Sequence, residues 1–166
     1  MKTSVSTVRH DGEGERRWFC GGGTHTRKAT ADETDGAFLI FEDQLQVGKV
    51  TPLHRHPDAD ETFYLIDGEI LLHIDGEQVP LAAGGIAIIP RGIPHAFLVT
   101  SVEARMLCLQ TPGHGEPFYR QASDQVRDGV AATPVDFGRV AAAAAATGAI
   151  EILGPPPFAP TGAART

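Results

Sequence analysis

Short apolar runs separated by glycine, proline and aspartate fill the middle of the chain. Segments 37–41, 62–66, 70–74, 86–89, 96–99 and 105–110 read as strands, each bounded by turn-forming residues. Asp67-Gly68 and Asp75-Gly76 are the residue pairs that tight hairpin turns favour, because both turn positions need positive φ. Strands this closely spaced, with no helices between them, predict an antiparallel sandwich or barrel over residues 36–111. Ahead of it, residues 1–35 are charged and broken by Gly21-Gly22-Gly23. Their apolar island at Trp18 and Phe19 either adds an edge strand to a partner or folds onto its own barrel. Behind it, residues 112–166 form a C-terminal extension. Pro112-Gly113 ends the last strand, Thr133 caps a helix with Pro134 at its first position, the alanine run 141–146 carries it, and Gly148 stops it. Val135, Phe137, Val140, Ile150 and Ile152 give that helix its packing residues. Pro155-Pro156-Pro157 is extended, and the last residues are expected to be loose. No internal repeat is evident, so the pattern predicts one barrel and not two.

Composition narrows the functional classes. The chain has 166 residues, 42% of them apolar, which suits one domain with a substantial core and excludes wholesale disorder. No run approaches the roughly 18 apolar residues of a membrane helix. Residues 1–17 lack the apolar stretch of a secretory signal, which points to the cytoplasm. A net charge of −7 disfavours nucleic acid or an anionic membrane as a partner. Cys20 and Cys108 read as free thiols. The number that changes the picture is seven histidines against three lysines, because histidine clusters carry metal and proton chemistry.

His54 and His56 stand two apart, so in a strand both imidazoles face the same way. Pro52 and Pro57 on either side suit a strand end. Glu61 opens the next strand in line with Phe63 and Leu65, and a carboxylate on that apolar face must be paired or bound to something. The turn Pro90-Arg91-Gly92-Ile93-Pro94 leads into His95, in line with Phe97 and Val99. Three imidazoles and one carboxylate thus each start a strand on its apolar face. Such donors suit Fe, Ni, Mn, Cu or Zn, whereas Mg and Ca prefer all-oxygen sites. Four ligands on a six-coordinate ion leave about two positions open for a substrate and a small molecule such as dioxygen. The remaining histidines have plainer expectations. His73 is surface or dimer-facing, and His10, His25 and His114 are solvated in loops or edges. Cys108 packs in a strand whose two faces, Met106/Cys108/Gln110 and Leu107/Leu109, have no assigned direction.

These residues form two motifs through which the chain resembles the cupins. The first reads Gly48, five residues, His54-Arg55-His56, four residues, Glu61, six residues, Gly68. The second reads Gly84, five residues, Pro90-Arg91-Gly92, two residues, His95, three residues, and Val99 where the family pattern has asparagine. Nine fixed positions agree and Val99 alone departs, which makes the pocket more apolar and weakens a link to the germin branch. The resemblance implies an all-β fold: an antiparallel cupin barrel (double-stranded β-helix, jelly-roll) with a short C-terminal α-helix. It also implies one divalent transition metal ion per chain, in the barrel mouth, held by His54, His56, Glu61 and His95.

Within the superfamily, the single barrel and the segment 150–156 resemble bacterial proteins similar to quercetin 2,3-dioxygenase. That resemblance implies a dioxygenase acting on an aromatic or enol small molecule that chelates the metal. Glu61 would then be the general base, and Phe63, Leu65, Phe97 and Val99 the apolar pocket wall. The partners expected are that substrate, dioxygen, and a second copy in a homodimer that covers exposed sheet faces. The fold also serves metal-dependent polyketide cyclases, which do no redox chemistry, and non-catalytic small-ligand-binding barrels.

Overall fold

The computed structural model describes residues 6–159; the loose end expected of the chain lies outside them. In chain order the strands are β1 (Glu15–Phe19), β2 (Thr24–Ala29), β3 (Leu39–Gln46), β4 (Leu53–Arg55), β5 (Asp60–Asp67), β6 (Glu69–Ile74), β7 (Glu77–Ala82), β8 (Ile86–Ile89), β9 (His95–Val99) and β10 (Glu103–Thr111). Helix α1 (Glu116–Gln121), strand β11 (Ser123–Gln125), helix α2 (Phe137–Thr147) and strand β12 (Glu151–Gly154) follow. They form two antiparallel sheets that face each other as a jelly roll. One has the order β11-β1-β2-β3-β10-β5-β8 and the other β12-β4-β9-β6-β7.

Alternation of side chains builds the core. Along β5, Glu61, Phe63 and Leu65 are buried while Tyr64 and Ile66 are exposed. Along β10 the buried set is Ala104, Met106, Cys108 and Gln110, which settles the face of Cys108 as the inner one. Leu39, Phe41, Ile70, Leu72, Phe97 and Val99 complete the apolar interior between the sheets.

Two expectations about turns part company. Asp75-Gly76 joins β6 to β7 as a hairpin, with φ of 48° and 89° and Ile74 opposite Glu77. Asp67-Gly68 makes no hairpin, because β5 and β6 belong to different sheets. It carries the chain from one sheet to the other. Gly68 has φ of 83°, and a Cβ there would stand 2.3 Å from the Glu103 carbonyl oxygen, so only glycine fits.

The flanking segments join the barrel. β1 and β2 extend the chain's own seven-stranded sheet, and Trp18 pairs with Thr24 and Asp124. β12 extends the other sheet, with Ile152 opposite His54. Helix α2 begins later than Thr133-Pro134: Asp136 is its N-cap, and its carboxylate accepts from the Arg139 N–H at 3.0 Å. The Asp136 N–H in turn donates to the Cys20 carbonyl at 2.7 Å, so a tertiary contact selects the start. Gly148 ends the helix with φ of 67°. Val140 and Ile150 pack inward, whereas Val135 and Phe137 stay 54% and 44% exposed. Among the described residues no helix is long and apolar enough to cross a membrane.

Candidate metal centre

Four buried side chains converge at the mouth of the barrel. His54 comes from β4, His56 follows that strand, Glu61 is the second residue of β5 and His95 the first of β9. Pairing of β4 with β9 sets His54 opposite His95, with ring centroids 4.3 Å apart. The His56 ring lies 5.5 Å from that of His95 at an interplanar angle of 21°. One donor atom from each of the four lies within 4.8 Å of all the others.

Backbone carbonyls orient two of the imidazoles. Nδ1 of His54 is 2.9 Å from the Pro52 carbonyl and Nδ1 of His95 is 2.9 Å from the Ile93 carbonyl. Each Nδ1–H donates there and turns Nε2 toward the cluster. Burial pushes the pKa of His54 down to about 3, and the neighbouring His95 and His56 add to the effect, so His54 is neutral at physiological pH. Burial opposes ionisation of Glu61, but His56 and His95 prevail and hold its carboxyl well below the usual range. For His95, burial disfavours the charged form, yet the carboxylate of Glu61, 2.9 Å from its Nε2, raises its pKa.

The residues fit a divalent cation. His56 is only 2% exposed, and neither of its ring nitrogens has a hydrogen-bond partner. Its Nε2 lies 3.3 Å from Glu61 Oε2 without forming a hydrogen bond. A buried imidazole with no hydrogen bond beyond this ion-pair contact is costly, and a metal shared by the four donors would supply the missing interaction.

Behind the cluster stands a support that sequence reasoning missed. Glu61 Oε1 accepts from Gln110 Nε2 at 3.0 Å and from the Cys108 thiol at 3.3 Å. Gln110 Nε2 also donates to the Tyr119 hydroxyl at 2.7 Å. Burial, with Glu61 close by, pushes the Cys108 thiol and the Tyr119 phenol well above their usual ranges, so both stay neutral. The available signal was parity: Gln110 is a polar residue in line with Met106 and Cys108.

An apolar cavity of about 70 Å³ adjoins the cluster. His54 and Glu61 form part of its wall, and Phe19, Phe41, Phe63, Phe97 and Tyr119 much of the rest. Of the four residues expected as a pocket wall, Phe63 and Phe97 line this cavity. Leu65 and Val99 do not reach it and are buried in the core, because the inward faces of β5 and β9 run on beneath the cavity. His25 departs further from expectation. It is not solvated but buried in β2, where Nδ1 is hydrogen-bonded to the Asp43 carboxylate, and it lines this cavity. His73 is half-buried, with Phe158 at 6.3 Å, while His10 and His114 are exposed.

Two facing antiparallel sheets with a three-histidine, one-glutamate cluster at the mouth define a metal-binding class of jelly-roll barrel. A model of the cupin domain matches residues 41–110. Quercetin 2,3-dioxygenase of Bacillus subtilis (strain 168) is 30% identical over 121 residues, which cover 73% of this chain and 36% of that protein. Polyketide synthase CurC of Streptomyces cyaneus is 33% identical over 82 residues, 45% of this chain and 53% of that protein. The structure of KdgF from Halomonas sp. superposes with a TM-score of 0.59 at 17% identity, over 65% of this chain and 94% of that one, a likeness of fold. The chain spans only about a third to three-fifths of the length of the curated relatives it matches. It belongs to the cupin superfamily.

Proposed function

We propose that this cupin holds one divalent transition metal at His54, His56, Glu61 and His95 and oxidises, with dioxygen, a small enol or phenol bound in the adjoining cavity. The observation that carries the proposal is the shared wall: His54 and Glu61 border a cavity otherwise rich in aromatic rings. A volume of about 70 Å³ corresponds to room for about five waters, and the cavity opens to the outside. The substrate of this reading is a compact molecule, such as a single ring, set against that wall. When bound, the metal supplies Lewis acidity at a substrate oxygen and redox partnership with dioxygen. Glu61 is ionised, tethered through Oε1 to Gln110 and Cys108, and keeps Oε2 on the side of the imidazoles. It is placed to take the proton of the enol hydroxyl. The aromatic wall excludes water around the resulting anion.

Metal analysis of the purified protein, followed by oxygen uptake with a panel of single-ring enols and phenols, tests the proposal. Glu61→Ala should lose turnover even where metal is retained; full turnover by the metal-loaded variant would sink the base role. The likeness to a polyketide synthase protein supports a second reading, ring closure without oxidation, and product formed under strict anaerobiosis would favour it. Protein that folds but takes up no metal would overturn both. A homodimer in the cytoplasm completes the proposal: edge strand β8 presents Ile86 and Ile88 outward beside Tyr64, and light scattering gives the oligomeric state.

A further inference from the structure

The cavity has a second pair of titratable groups that the ligand cluster does not use. His25 on β2 stands directly opposite Asp43 on β3, and its Nδ1 is hydrogen-bonded to the Asp43 carboxylate. Its ring is enclosed by Phe19, Phe41 and Tyr119, with centroids 4.6, 4.8 and 5.4 Å away. It is 8% exposed, and Nε2 has no hydrogen-bond partner. Both His25 and Asp43 line the cavity, and so does Lys49. The Lys49 ammonium donates to the Gly21 carbonyl and sits 5.3 and 5.9 Å from the centroids of Phe19 and Phe97. Burial lowers its pKa to about 8.

Asp43 accepts from Nδ1–H and so fixes the tautomer, which leaves a lone pair on Nε2. If the pair served packing alone, an apolar ring would do as well among three aromatic neighbours, without an orphaned buried acceptor. Lys49 adds a cation beside apolar rings on the same wall, attracted by the Asp43 carboxylate but hydrogen-bonded only to backbone carbonyls. An acceptor and a cation on one apolar wall match the two states of a single group: a hydroxyl before proton loss and an oxyanion after it.

We propose that His25, oriented by Asp43, accepts the proton of a second substrate hydroxyl in this cavity, one not presented to Glu61 and the metal, and that Lys49 holds the oxyanion left behind. The substrate O–H bond breaks, the Nε2–H bond forms, and the electron pair stays on oxygen. The imidazolium so formed faces the Asp43 carboxylate, so its charge is compensated. The proposal rests on the reading that the cavity takes a hydroxyl-bearing small molecule, but not on what becomes of that molecule.

The test uses 4-nitrophenol, whose absorption distinguishes phenol from phenolate, and zinc-loaded protein, in buffer where the free probe is mostly phenol. Wild-type protein should bind it as phenolate. His25→Phe, which keeps a ring in the aromatic nest, should weaken binding about tenfold or more, the loss of one charge-assisted hydrogen bond, and return the bound probe to its phenol spectrum. Asp43→Asn, nearly isosteric, should shift the spectrum in the same direction and decides the matter should His25→Phe not fold. Zinc content must match wild type in both variants. Phenolate bound equally well by folded variants would assign the anion to the metal and overturn the proposal, as would failure of the wild type to bind the probe. Absence of oxygen uptake with every enol, alongside His25-dependent phenolate binding, would remove the dioxygenase reading and leave this one standing.

Discussion

Gln110 reaches Glu61 without belonging to the ligand cluster, so replacing it isolates the tether from the metal donors. Gln110→Leu keeps the volume and removes the carboxamide. Two hydrogen bonds go with it: one to the ionised Glu61 at 3.0 Å and one to the Tyr119 hydroxyl at 2.7 Å. The first is worth about 1.5–3 kcal/mol and the second about 1 kcal/mol. Something is also returned, because the carboxamide Oε1 is buried without a partner, and its removal recovers about 1 kcal/mol. The net loss is about 2 kcal/mol, which for a domain of this size lowers Tm by about 4–8 °C. Glu61 also loses its fixed orientation, and loss of such an outer partner weakens metal binding about 10- to 100-fold. Calorimetric melting of the metal-free protein and zinc competition against a chelator measure the two effects separately. A variant that melts within about 1 °C of wild type and binds zinc within about twofold would refute the tether.

Two further substitutions probe the frame around the site. Lys49→Met removes an ammonium whose pKa falls from 10.5 to about 8 on folding, a cost of about 3 kcal/mol offset by about 1 for the lost bond to Gly21. Below about pH 8 the lysine is charged in both states and the cost is complete; between about 8 and 10.5 the unfolded chain keeps a proton the folded chain has released, so wild-type stability rises. The advantage of Lys49→Met in urea melts should therefore be full near pH 7 and fade as pH climbs through that window; an advantage independent of pH would deny the burial of the charge. Gly68→Ala should cost about 3 kcal/mol or more, since a positive φ and a Cβ 2.3 Å from the Glu103 carbonyl oxygen act together, and an unchanged Tm would contradict that geometry.

The ligand cluster was legible because each member advertises itself locally. His54, His56, Glu61 and His95 are polar residues at the starts or ends of apolar strands, in phase with the buried face, and period-2 alternation is a local property. Pairing is not local, and this is where reading failed. Asp67-Gly68 announces a turn but not which strands it joins, and here it crosses between sheets. The stretch Thr24, His25, Thr26, Arg27 is polar at every position, so nothing in it marks a buried strand. It is buried because its polar groups find partners far along the chain, such as Asp43 for His25 and Glu116 for Arg27. Thr133 reads locally as the cap of helix α2, but the helix starts at Asp136, whose N–H donates to the distant Cys20 carbonyl.

The cavity is assembled from two kinds of sequence, and the division bears on what the relatives can teach. All four members of the ligand cluster lie within residues 41–110, the span of the cupin match. Much of what a substrate would touch lies outside that span: Phe19 and His25 come from the N-terminal strands, and Tyr119, Val140, Ile150 and Ile152 from the C-terminal extension. The metal cluster therefore rests on the matched span, whereas the cavity wall draws on that span and on the flanks. A cupin can keep the first while its flanks rewrite the second, which is how one barrel serves unrelated reactions. Here the flanks supply a buried His25 beside Asp43 and part of the aromatic wall. Likeness to a quercetin 2,3-dioxygenase extends over 121 residues, more than the cupin span, so variants of the flanking cavity residues Phe19, His25 and Tyr119 are the ones that test substrate choice separately from metal binding.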